Sequence, residues 1–173
     1  GTLSWADGDT SSKSFDIAII DDGDQESNEG FQVSLTNATN GASIGTGTSG
    51  VTITDNDQPP VPGTLALSSA AYTFDEGVGD AGITVTRSGG SDGAVSVTFY
   101  TRSGGAKAGK DYTATTVTVS WADGESGVKT VNIPIIDDVL DEVNEAFWAK
   151  LRNVSGGASL GANSSLVTIT DND

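Results

Sequence analysis

The chain has 173 residues, with 24 Asp and Glu against 8 Lys and Arg, a formal net charge of −16, and no Cys, Met or His. Such a surface repels nucleic acid and anionic headgroups and attracts cations. Zinc sites built on Cys or His, disulfide staples and any triad that needs His or Cys are excluded.

Residues 1–57 carry Trp5, Ile17, Ile19, Phe31 and Leu35 at strand-like positions and close on Val51-Thr52-Ile53-Thr54-Asp55-Asn56-Asp57. Residues 58–62, Gln-Pro-Pro-Val-Pro, cannot enter a sheet interior, because proline fixes φ and lacks the amide donor. They form a short, semi-rigid linker. Beyond it, period-two alternation predicts strands. Leu65 and Leu67 come first, then Tyr72 and Phe74, then Ile83, Val85 and Arg87, then Val95, Val97 and Phe99. Val117, Val119 and Trp121 follow, then Val131, Ile133 and Ile135, then Phe147, Ala149 and Leu151, and last Val167 and Ile169. Turn residues such as Ser88-Gly89-Gly90 and Ala122-Asp123-Gly124 separate them. The predicted fold is all-β, an antiparallel sandwich of about seven strands. Pro134 inside an apolar run marks an edge or a bulge. Trp148 is out of phase with Phe147 and Leu151 and faces outward, as a shallow surface residue or as part of a contact.

The chain repeats itself at an offset of 116 residues. Residues 1–57 lie on 117–173 without a gap, with about 30 of 57 positions identical. A tandem repeat of ~116 residues is too long for a solenoid unit and suits one small domain. Residues 63–173 are then a complete repeat and residues 1–57 the C-terminal half of another, supplying its last four strands. How that half is completed has three answers: residues upstream of Gly1, a strand swap in which it competes with 117–173 for 63–115, or homo-association with another surplus half.

The acids cluster at predicted strand ends: Glu76, Asp111, Asp137, Asp138, Glu142, Glu145, Asp171 and Asp173. For any one of them a solvated turn is the simpler reading. The set is different, because Asp21, Asp22, Glu26, Glu29, Asp55 and Asp57 recur at identical spacing in residues 1–57 while their neighbours change. In an antiparallel sandwich alternate strand ends gather at one pole. Two carboxylates ~5 Å apart repel by roughly 3 kcal/mol at an effective dielectric of 20, and Lys and Arg are scarce nearby. A hard divalent cation with six to eight oxygen ligands offsets this, and calcium suits flexible, carboxylate-rich loops better than magnesium. The EF-hand ligand pattern and the phosphate-loop lysine are both absent.

These residues resemble the Calx-beta domain family. The marks are Phe74-Asp75-Glu76-Gly77, Gly109-Lys110-Asp111-Tyr112, Ile135-Ile136-Asp137-Asp138 with Glu142-Val143-Asn144-Glu145, Gly157-Ala158-Ser159-Leu160-Gly161 and the terminal Thr168-Ile169-Thr170-Asp171-Asn172-Asp173. The resemblance covers 63–173 and, as a half repeat, 1–57. It implies an immunoglobulin-like sandwich with Ca2+ at one pole. It also implies that the eight acids are ligands, joined by the backbone carbonyl of Leu140, and that Asn172 replaces an acid found in strong binders. In residues 1–57 any site is partial.

The expected function is a calcium-binding structural repeat of a large extracellular adhesin or matrix-type protein, on a bacterial cell surface. Calcium would stiffen the domain and its junctions with neighbouring repeats, at the pole facing the chain after Asp173 or before Gly63. A regulatory calcium sensor, or a glycan or protein recognition module using Trp148, are the alternatives. Catalysis is not expected, since no His serves as base and no aromatic platform flanks the acids.

Overall fold

The computed structural model describes residues 1–173 as two compact units, Gly1–Pro59 and Pro60–Asp173. The first contains β1 (Glu29–Ser34) and β2 (Thr48–Ile53). The second contains β3 (Thr64–Leu67), β4 (Ala71–Asp75), β5 (Asp80–Ser88), β6 (Val95–Arg102), β7 (Thr116–Trp121), β8 (Gly127–Pro134), β9 (Glu145–Ser155), β10 (Ser159–Leu160) and β11 (Ser164–Thr170).

In the second unit, a sheet ordered β10-β3-β5-β8 faces one ordered β4-β11-β9-β6-β7. The predicted sandwich is present, with its first strand divided. β3 pairs antiparallel with β5, whereas β4 crosses to the other sheet and pairs parallel with β11. The buried Ser165 hydroxyl donates to the carbonyl of Ser69, and the amide of Leu166 donates to Ala70 at 3.1 Å, so the crossing is pinned at residues 69–70. This split, with the two-residue β10 beside β3, raises about seven strands to nine and introduces two parallel pairings.

The alternating residues meet between the sheets, except Val117, which is 40% exposed near the start of the edge strand β7. Leu65, Ile83, Val85, Val97, Phe99, Phe147 and Val167 are all fully buried, and Trp121 is 1% exposed. Each large apolar side chain so buried contributes about 1.5–3 kcal/mol. Pro134 ends the edge strand β8, where its missing amide costs no ladder bond.

Arg87 lies in phase with Ile83 and Val85 and is 1% exposed. Its guanidinium donates to the carbonyls of Pro62 (3.0 Å), Ala122 (3.2 Å), Glu125 (2.9 Å), Asp92 (3.0 Å) and Gly93 (2.9 Å). All five donors of the group are used. A buried charge is tolerated here because carbonyl dipoles from three chain segments surround it.

The connection β4–β5, the segments 103–115 and 135–144, and residues 171–173 all emerge at the same pole. Thr64 pairs with Ser88, the far end of β5, so Gly63 lies at the opposite pole. The acidic pole is therefore the end of the unit that carries Asp173, opposite the end that carries Gly63.

The first unit departs from expectation: four predicted strands reduce to two. The register explains it. β1 and β2 pair as Glu29↔Ile53, Phe31↔Val51 and Gln32↔Gly50, which is the β9–β11 register Glu145↔Ile169, Phe147↔Val167 and Trp148↔Leu166 shifted by 116 residues. Those two strands partner each other within the half. β7 pairs only with β6, and β8 only with β5. Residues 1–57 contain no counterpart of β5 or β6, so residues 1–20 have no ladder to join. Trp5, Phe15, Ile17 and Ile19 remain 51%, 54%, 45% and 50% exposed.

Candidate metal centre

The acidic pole is built by strand ends and the loops between them. Asp75 ends β4, and its side chain accepts the amide of Gly77 at 3.0 Å, capping the single 3-10 turn Glu76–Val78. This turn directs Glu76 inward, where it is 6% exposed. Gly77 lies close beside it: a Cβ would stand 2.8 Å from Nδ2 of Asn172, so that side chain would have to shift. Asn172 donates to Oδ1 of Asp75 at 3.3 Å, so this non-acidic position braces the turn.

Asp111 lies in the long β6–β7 connection. Its carboxylate accepts the amide of Lys107 at 2.5 Å, closing a tight loop. Tyr112, next in sequence, is buried and stacks on Phe147 with ring centroids 4.0 Å apart. A Cβ on Gly104 would meet the carbonyl of Ala146 at 2.5 Å, so this loop can lie flat on the start of β9. Asp111 is thereby brought to Glu145, the first residue of β9. Carboxylate oxygens of Asp111, Glu142 and Glu145 all lie within 4.8 Å of one another.

A small cleft is lined by Glu76, Asp111, Glu142, Val143, Glu145, Ile169 and Asp171. Oδ1 of Asp171 is buried there with no hydrogen-bond partner. Burial pushes the Glu145 carboxyl above its ordinary range, and a hydrogen bond and negative charge from Asp111, with charge from Glu142, add to the rise. Burial likewise raises Glu76, opposed by an amide hydrogen bond from Asp138 and reinforced by the charges of Asp138, Asp171 and Asp137. Burial followed by Asp171, Asp137, Asp138 and Asp141 raises Asp173.

Five of the nine predicted site residues thus line one cleft. Asp137, Asp138 and Asp173 border it electrostatically, and Asp138 also accepts the amide of Leu140 at 2.8 Å. Leu140 sits in the same loop, with its side chain 59% exposed. Two contributors were not singled out from the sequence. Asp75 stands in the sequence as one letter of a motif, and its role is visible only once Gly77 and Asn172 are beside it. Asp141 reads as one more loop acid, and nothing in its spacing marks it.

The donor set is entirely oxygen. It contains an orphaned buried carboxylate oxygen and three carboxylates in mutual contact range, and no Lys or Arg forms an ion pair with any of these acids. Such a set fits a hard divalent cation.

In the first unit, Asp21, Asp22, Glu26, Glu29, Asp55 and Asp57 line one cleft together with Asp24. Here Asp55 has partners: its carboxylate accepts the amides of Glu26 (2.8 Å) and Asp57 (3.1 Å), which lower its pKa. Asp22 and Glu29 raise Glu26. Burial and then the charge of Asp55 raise Asp57.

Trp148 lies on the outer face of β9, 39% exposed, with the ammonium of Lys150 5.4 Å from its ring centroid.

A sandwich whose loops gather carboxylates at one pole is the architecture of a small ion-binding module. The sequence model of the Calx-beta domain matches residues 1–57 and 61–173, and the chain belongs to the Calx-beta domain family. It is 33% identical over 174 residues to the adhesion G-protein coupled receptor V1 of Danio rerio, a match that covers 96% of this chain and 3% of the receptor. It is 36% identical over 91 residues to the sodium/calcium exchanger 1 of Canis lupus familiaris, covering 52% of this chain and 9% of the exchanger. Among solved structures it resembles the apo-form Calx CBD1 domain, with a TM-score of 0.61, 30% identity, and 64% of this chain and 97% of that one covered. It also resembles the calcium binding domain CBD12 of CALX1.1, with a TM-score of 0.60, 30% identity, and 63% and 46% covered. The chain thus spans only a small part of the full-length relatives it matches. No helix in it is long and apolar enough to cross a membrane.

Proposed function

We propose that the second unit is a calcium-binding structural repeat of a large extracellular adhesin or matrix-type protein. Glu76, Asp111, Asp137, Asp138, Glu142, Glu145, Asp171 and Asp173 would hold the ion, with the Leu140 carbonyl. One observation carries this reading: the buried, unpartnered Oδ1 of Asp171 in a cleft of carboxylates. A cation there supplies charge neutralisation. The protein supplies the oxygens from three loops and one strand end, so the bound state ties these segments together and stiffens the pole next to Asp173. The solved relative named as a calcium binding domain and the relative named as an adhesion receptor support the same reading. Thermal unfolding in excess chelator, in millimolar calcium and in millimolar magnesium tests it. A calcium-selective rise in melting temperature, abolished by Asp137→Ala with Asp138→Ala, is expected; equal melting in all three refutes it.

We further infer that residues 1–57 are the second half of a repeat that takes a first-half segment like 63–115 as its partner. Eleven core residues of the second unit lie between Val119 and Ile169, and the matching positions from Leu3 to Ile53 are all apolar. The partner cannot be 63–115 of the same chain, provided Asp57 takes the place of Asp173. Six Cα steps from Asp57 to Gly63 reach at most ~22 Å, whereas an eleven-residue strand such as β9 runs ~35 Å from pole to pole.

A further inference from the structure

The outer face of the sheet β4-β11-β9-β6-β7 differs in chemistry from the rest of this acidic chain. Its central rows follow from the register: Arg102 opposite Trp148, Tyr100 opposite Lys150, and Thr98 opposite Arg152. Three of the chain's 8 Lys and Arg therefore stand on adjacent rows of two neighbouring strands. None of the three is ion-paired; the two salt bridges of the molecule, Lys13–Asp9 and Lys129–Glu125, lie elsewhere.

Two of the cations are held by aromatic rings. The Arg152 guanidinium carbon lies 4.5 Å from the Tyr100 ring centroid, and Lys150 lies 5.4 Å from that of Trp148 while donating to the Ser164 hydroxyl at 3.0 Å. Stacking of this kind orders a long side chain before any ligand arrives. The outward positions around them on β6, β7, β9 and β11 are mostly Ser and Thr, and none is a carboxylate. In residues 1–57 the positions of Trp148, Lys150 and Arg152 are Gln32, Ser34 and Thr36, although the acids and the inner apolar face are kept. The patch thus varies independently of the metal centre and of the core.

We propose that this face is a binding platform for an anionic polysaccharide. β6 and β9 are interior strands whose backbone groups are already paired on both sides. An acidic peptide therefore has no edge on which to add as a strand. What the face offers is side chains only: three cations, two of them held against rings, and a field of hydroxyls around them. A polymer whose own surface is hydroxyls with carboxylate or sulfate groups complements all three. The platform is separate from the acidic pole and acts without a metal ion.

The test is retention of the whole chain by dextran sulfate and by polygalacturonate, with neutral dextran as blank, at low salt and in excess chelator. A net charge of −16 opposes any non-specific capture by a polyanion, so retention reports the patch. Retention that weakens with salt is expected. Replacing the cations together, Arg102→Gln, Lys150→Gln and Arg152→Gln, is expected to weaken it by about tenfold, the sum of three modest surface charge contacts. Removing equal charge elsewhere, Lys13→Gln, Lys110→Gln and Lys129→Gln, is expected to change it less than about twofold. Trp148→Ala, which leaves the charge intact, is expected to weaken it by an intermediate factor. Circular dichroism and melting temperature confirm that each variant is folded. No retention in chelator, retention only with calcium, equal loss in both triple variants, or tighter binding to polyglutamate than to either glycan overturns the proposal.

Discussion

Trp121 and Trp5 occupy the same place in two copies of one pattern, Ser-Trp-Ala-Asp-Gly, yet one is 1% exposed and the other 51%. The two units share about 30 of 57 residues in this half, so the difference does not arise from the segment itself. It arises from what the segment can pair with. In the second unit, β7 and β8 are held by β6 and β5, which lie in residues 63–115; in the first unit those partners have no counterpart and only the β1–β2 pair forms. The acidic clefts diverge for the same reason. Asp171 has a bare, buried oxygen, because Glu76 and Asp111 close the cleft around it. Its counterpart Asp55 is answered by the amides of Glu26 and Asp57. Residues 1–57 form the β1–β2 hairpin alone, whereas the strands matching β7 and β8 and the closed acidic cleft occur only where residues 63–115 are present.

The strongest way to break this contrast is through Arg87. Arg87→Met leaves five carbonyls without their donor, and is expected to destabilise the second unit by at least about 4 kcal/mol. Denaturant unfolding followed at Trp121 would read it. Next, Trp121→Ala is expected to cost about 3–5 kcal/mol and Trp5→Ala less than about 0.5 kcal/mol. Supplying residues 60–116 as a separate fragment sharpens the pair. With Trp5 as the sole tryptophan, its emission is expected to shift to the blue as the half sandwich closes, and no shift would mean that 63–115 is not its complement.

Calcium comes third. At a hundredfold excess over Kd it is expected to stabilise the second unit by about 2.7 kcal/mol. Asp171→Asn should remove most of this, whereas Asp55→Asn should change little; isothermal titration of both variants checks it. The smallest effect is that of pH in chelator. Glu76 and Glu145 are raised above 4.5 in the folded state, so the folded chain binds more protons than the unfolded one above that value. Metal-free stability is therefore expected to rise as pH falls from neutral toward 4.5, and calcium should reverse the trend because protons then displace the ion. Melting curves across that window, with and without calcium, decide it.

Much of the second unit is legible in the sequence. Alternation marked the core from Leu65 to Ile169 because sheet side chains have a fixed period of two. The 116-residue repeat separated the acids that recur from those that vary. Pro134 announced an edge because it cannot donate.

Other features depend on contacts between residues far apart in sequence, and alternation carries no record of them. The first strand divides between sheets because Ser165 and Leu166 capture the backbone at Ser69 and Ala70, ninety-six residues away in each case. Arg87 is in phase with the core, but only the arrival of three other chain segments makes a buried guanidinium tolerable. Local pattern determined which residues face inward and which acids stand at strand ends. Tertiary pairing decided which strands exist at all, which pole the acids share, and which carboxylate oxygen is left without a partner.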